Sequence, residues 1–173
     1  LLGPEDTGRF FFLFLSFISI RTLIDFGSSN AFFTFISKTN QTKNFINAYL
    51  AWIFLIFIIT GFFLFYVIPS KILEYIWLGE KLEILIVAFI ASFTFQQFWP
   101  IAYKMAEASR QTLKLHIISI VTNVLHLLII IFLWIAENNS LKLIFTIICI
   151  EWLIAGIIAS RLYNHSDTSS GSN

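Results

Sequence analysis

The residues able to do chemistry are few, and they stand where hydrocarbon is expected. In Ile20–Asn30, IRTLIDFGSSN, Arg21 and Asp25 lie one helical turn apart and are followed by Gly27, Ser28 and Ser29. Opposite charges at i and i+4 can pair on one helix face. A buried pair is nevertheless a costly structural device, since apolar residues often replace it without loss of stability. A guanidinium in a hydrated cavity also binds phosphate through two parallel hydrogen bonds. Arg21 and Asp25 are therefore candidates for lining a cavity, with the self-neutralising clamp as the simpler alternative.

Three further groups repeat the pattern. His116, Ser119, Asn123 and His126 fall at i, i+3, i+7 and i+10, which is one helical face. Ser92, Gln96 and Pro100 line up in another segment, with Gln97 adjacent. Glu151 shares a face with Ala155 and Ala159, and Gly156 and Ser160 form a second small pair beside it. Small residues at that spacing let membrane helices approach closely, which aims Glu151 at protein rather than lipid. Cavity candidates are then Arg21, Asp25, Gln96, Asn123 and His126, and ion-coupling candidates are Glu151 and Asp25. The bland reading of the His116–His126 stripe is hydrogen bonding to neighbouring helices, at about 0.6 kcal/mol apiece. Glu151 reads equally as a proton or cation site and as a buried structural acid.

The chemistry these residues exclude is as informative. His116 and His126 are separated by about 15 Å along a helix, too far to share a metal. No nucleophile–base pair or glycine-rich phosphate loop is visible, so no enzyme, metal or cofactor is expected. The lone Cys149 forms no disulfide within the chain.

The elements that must position these groups follow from composition. Of the 173 residues, 58% are hydrophobic and 12% charged, with 21 phenylalanines, and mean hydropathy is +0.84. Soluble domains carry about 25% charged residues, and a soluble fold with this balance would expose large apolar patches. Net charge is +1 with no basic patch, which removes nucleic acid as a partner. The expectation is an all-α, polytopic transmembrane bundle in contact with membrane lipids. A span needs about 20 mostly apolar residues, and five segments qualify: about 10–36, 45–68, 84–103, 115–135 and 141–163. Residues 164–173, NHSDTSSGSN, read as a polar disordered tail. The second span, with only Thr60 and Gly61 in its middle, should face lipid more than the spans that carry polar stripes.

Lys38, Lys43, Lys104, Arg110, Lys114 and Arg161 fall on one side of this arrangement, and Arg9, Lys71, Lys81 and Lys142 on the other. The richer side reads as cytoplasmic, leaving the GPEDTG stretch outside as a loop. Tyr49, Trp52, Tyr66, Trp99, Tyr103, Trp134 and Tyr163 are placed as an interfacial aromatic belt.

Leu2, Gly3, Pro4, Glu5 and Gly8 match an L-G-P-E-x-x-G element, and Asp25, Phe26 and Gly27 a D-x-G-like element. With the segment EASRQTLKLHIISIVTNVLHLLIIIFLW, these make residues 1 to 163 resemble the bacterial polysaccharide flippases of the multidrug/oligosaccharidyl-lipid/polysaccharide exporter superfamily. The resemblance implies that Leu1-Leu2 ends a first helix and that the five spans are helices two to six, part of one lobe of a two-lobed flippase. It implies a multi-pass protein of the bacterial inner membrane whose missing second lobe is a partner. The substrate would be a lipid-linked oligosaccharide of undecaprenyl-diphosphate type, flipped for polysaccharide or O-antigen synthesis. The same superfamily includes drug and cation antiporters, and a non-transporting membrane scaffold fragment is an alternative of another class.

Overall fold

The computed structural model describes residues 3–38, 43–108, 110–138 and 140–169. Leu1-Leu2 and residues 170–173 of the tail lie outside the described residues. The described chain is all α, with no strand. Its helices are α1 (Pro4–Asp25), α2 (Ser28–Lys38), α3 (Lys43–Phe62), α4 (Ser70–Ile76), α5 (Leu82–Phe93), α6 (Trp99–Ala108), α7 (Thr112–Ile135) and α8 (Leu141–Ser169). Wide π-helical turns extend α3 over Phe63–Val67 and join α5 to α6 over Thr94–Phe98. Five stretches of the described residues are long and apolar enough to cross a membrane: Pro4–Asp25, Asn44–Val67, Leu82–Ala108, Thr112–Ile135 and Leu141–Leu162. The chain is a multi-pass membrane protein.

Three boundaries differ from expectation. GPEDTG is not a loop: Pro4 opens α1, and Glu5 and Asp6 occupy its first turn. Proline is pre-shaped for a first helical position, and acids there complement the helix dipole. The span expected over 10–36 is broken, because Phe26 and Gly27 adopt left-handed φ values of 44° and 80°. At the other end, α8 runs on through Ser169, past the expected boundary at 163.

The π turn at Thr94–Phe98 has a local cause. Pro100 lacks an N–H and, in a regular helix, its ring would strike the carbonyl of residue 96. Widening the turn relieves that clash, and the Trp99 N–H bonds back to the Thr94 carbonyl, five residues earlier. The wide turn also re-aims Gln96 and Gln97.

Burial divides the spans. In the most apolar 18-residue stretch of each span, half of the residues are buried in Leu82–Ala108 and 39% in Leu141–Leu162, against 11% in each of the other three. The α5–α6 span and α8 therefore form the centre. They meet through Ala88, Ala91, Ala102 and Ala106 on one side and Ala155 and Ala159 on the other, all at most 3% exposed. Without a hydrophobic drive inside lipid, such small residues gain by close van der Waals approach. Phe95, Trp99 and Trp152 pack edge to face and tilted around this seam. Trp99 is thus core, not belt, whereas Trp52, Tyr66 and Trp134 are exposed on the bundle surface. The Tyr163 side chain lies outside the described residues. A second apolar cluster of Phe32, Ile36, Ile46, Ile53, Ile101 and Met105 binds α2 to α3 and α6.

Candidate functional site

The break between α1 and α2 gathers a connected network of polar side chains. A helix end leaves carbonyls without partners, and the next helix start leaves N–H groups without partners. Arg21 stands one turn before the end of α1, Asp25 is its last residue, and α2 begins three residues later at Ser28. The Arg21 guanidinium lies 3.6 Å from the Asp25 carboxylate. It donates to Ser29 Oγ at 3.1 Å and to the side-chain oxygen of Gln97. Asp25 in turn accepts from Ser28 Oγ at 2.9 Å and Ser29 Oγ at 2.7 Å. Tyr49 Oη reaches Ser29 at 3.4 Å, and Lys104 Nζ donates to Asn30 at 3.0 Å.

The depth of this network can be read from its neighbours. A cleft beside Arg21 and Asp25 is walled by Ile56 and Thr60 of α3 and by Phe89, Phe93 and Gln97. Ile56 and Gln97 are each eleven or more residues from either end of their spans, about 16–23 Å at the helical rise. Arg21 therefore lies near the end of its own helix but stands level with the middle of two others. Irregular backbone at that depth is tolerated only against protein or a wet cavity. The cleft itself holds about 20 Å³, room for one water. In this conformation the cleft is too small to hold anything as large as a diphosphate.

His126 and Glu151 form a second polar place, between α7 and α8. Their Nδ1 and Oε2 atoms are 2.7 Å apart, and the Glu151 side chain is 11% exposed. The other carboxylate oxygen, Oε1, is buried without a partner among the described residues. Beside Glu151 runs an apolar groove of about 410 Å³ lined by Val121, Leu125, Ile150 and Ile154. Glu151 thus faces protein, as its small-residue neighbours indicated.

The remaining expectations are corrected. The α7 stripe does not line an interior. Asn123 and His116 are exposed, and Asn123 bonds back to the Ser119 carbonyl of its own helix at 2.8 Å. Of the cavity candidates, the structure joins Arg21 and Asp25 directly. It takes His126 to Glu151 instead and leaves Asn123 outside. Gln97, buried at 3% exposure, replaces Gln96 as the glutamine that meets Arg21. The signal that could have found it is Pro100, whose effect on the preceding turn rotates the two glutamines. Lys104, Ser29 and Tyr49 were also missed. Lys104 lay among loop charges in the sequence, and only the packing of α2 against α6 brings it to Asn30. Compared with protein-family models, with curated proteins and with solved structures, the chain matches none.

Proposed function

We propose that this chain is part of a flippase that carries a lipid-linked oligosaccharide of undecaprenyl-diphosphate type across the bacterial inner membrane. One observation carries the reading: a guanidinium held level with the middle of neighbouring spans, beside a break in the helix that bears it. A buried charge in a membrane is expensive and marks a substrate or ion path. Broken helices line the sites of many transporters. Two cations, Arg21 and Lys104, stand around the break with Asp25, and Glu107 also acts on Lys104. The Arg21 guanidinium is the group of this set suited to an anionic headgroup, through parallel hydrogen bonds. The L-G-P-E-x-x-G and D-x-G resemblance supports the same family.

In this reading α1, α3 and α5 part around the one-water cleft when substrate enters, and the Phe26–Gly27 break is the hinge. Asp25 and Gln97 hold the guanidinium in place meanwhile. Alternating access would use the second lobe that the family implies. Glu151, paired with His126, is the residue placed to couple an ion gradient. No covalent step is involved. The test is surface-polysaccharide complementation with the encoded protein. Arg21→Lys should insert normally but export less, because a point charge replaces a planar fork. The double exchange Arg21→Asp with Asp25→Arg should restore insertion without export. Export equal to the parent by the exchanged protein would reduce the pair to a structural clamp and sink the proposal.

A further inference from the structure

Asn123 carries a carboxamide on the outside of the bundle at mid-membrane depth. It is the twelfth of the 24 residues in the Thr112–Ile135 span, about 17 Å from either end at the helical rise, and it is exposed. Its Nδ2 donates to the Ser119 carbonyl at 2.8 Å, and the second amide hydrogen has only Ser119 Oγ, at 3.5 Å. Its Oδ1 accepts no hydrogen bond among the described residues. Hydrocarbon supplies neither donor nor acceptor, so a polar group at this depth calls for a partner in protein or water. The residues along the same face are ordered as well. Leu113, His116, Ile120, Asn123, Leu127 and Trp134 are all exposed. With the half-buried Ile130 they advance by alternate steps of three and four. His116 and Trp134 stand near the two ends of the span, which leaves Asn123 as the polar residue in the middle of the stripe.

Steps of three and four are the spacing by which two helices share a seam in a left-handed crossing, the common arrangement between membrane helices. The apolar members of the stripe speak against a water-filled wall. Ile120 and Leu127, one turn to either side of Asn123, are 62% and 59% exposed, and the adjacent Val124 is exposed too. The partner that fits is a helix bringing both a donor and an acceptor to the bilayer midplane. A second copy of this chain does so by symmetry. Copies inserted the same way up are related by a twofold axis along the membrane normal, so each α7 residue meets its own counterpart at one depth. A carboxamide both donates and accepts. The second hydrogen of each Asn123 Nδ2 then reaches the Oδ1 of its counterpart, and the bonds to the Ser119 carbonyls are kept. A single Asn in such a seam also fixes the register, since any slip leaves it unsatisfied. We infer that this face of α7 is a homodimer interface, a parallel helix pair joined at mid-membrane by Asn123 from each copy.

The test is self-association of the encoded protein in lipid bilayers, read by single-molecule photobleaching of copies that each carry one dye, at falling protein-to-lipid ratio. The parent should show a two-step population that dissociates on dilution. Asn123→Leu should move the dimer midpoint about tenfold toward higher density, the order of interhelical hydrogen bonds in membranes. Leucine brings no compensating drive, because lipid tails are as apolar as its side chain. Asn123→Gln keeps the carboxamide and should recover most of that loss. The position is exposed, so both variants should keep the parent's melting temperature when monomeric. With Cys149 changed to serine, a cysteine at Ile120 or Leu127 should cross-link to its counterpart under mild oxidation in native membranes. One at Phe54, on the exposed outer side of α3, should not. A monomer at every density, an unchanged midpoint for Asn123→Leu, or equal losses for Asn123→Leu and Asn123→Gln overturns the interface. Cross-linking at Phe54 equal to that at Leu127 does the same, and any of these outcomes assigns Asn123 to water or to another protein. Association is measured without export, so this surface and the transport reading fail separately.

Discussion

Gly156 offers the sharpest test of how the centre of the bundle is built. It lies on α8 where that helix meets the wide turn of the α5–α6 span. A Cβ at this position would stand 2.4 Å from Phe98 Cε1 and 2.6 Å from Phe98 Cδ1. Carbon atoms are comfortable at about 3.5–4.0 Å, so an alanine overlaps the ring by about 1 Å. The ring must swing or the helices must separate, and overpacking of this kind costs about 1–3 kcal/mol. Alanine recovers about 1 kcal/mol through its better helix propensity. The expected net effect of Gly156→Ala is a loss of about 1 kcal/mol. The more decisive quantity is the coupling to Phe98. With Phe98→Ala the offending ring is gone, and Gly156→Ala becomes neutral or stabilising. A double-mutant cycle by SDS-driven unfolding in bicelles should return a coupling of about 2 kcal/mol, within the range for residues in contact. A coupling within about 0.5 kcal/mol of zero, the level for independent sites, would refute the close seam between α8 and the wide turn.

Further outcomes follow from the same structure. Gly27→Ala places a side chain at a φ of +80°, and should cost about 1–2 kcal/mol in the same unfolding assay; no loss would mean that the break does not need left-handed backbone. With Cys149 changed to serine, a cysteine at Arg110 should resist an impermeant thiol reagent in intact cells and one at Asn138 should react; the reverse pattern would invert the orientation. Glu151→Gln keeps a hydrogen-bonding oxygen for His126 but removes the charge. It should leave assembly intact and abolish gradient dependence of export. An unchanged pH profile of export would make Glu151 structural.

Much of the architecture was open to inspection in the linear chain, because a bilayer imposes a one-dimensional rule. Each crossing needs about 20 apolar residues with every backbone group bonded internally, so Phe45–Ile68 could only be a helix. The lipid-facing character of that span followed from its lack of polar side chains. The i, i+4 relation of Arg21 and Asp25 was equally local, as was the inward aim of Glu151 beside Ala155 and Ala159. What needed the tertiary structure is every relation that depends on rotation about a helix axis or on depth. Gln97, rather than Gln96, meets Arg21 because Pro100 forces a wide turn that shifts the register by about one residue. Asn123 shares a helical face with His126 in projection, yet only His126 finds a carboxylate, since α8 covers just part of that face. Glu80 reaches Arg9 across 71 positions of sequence, and no periodicity within either segment encodes that approach. Helical periodicity is a property of near neighbours, whereas a site is assembled from whichever faces the packing of small residues brings together.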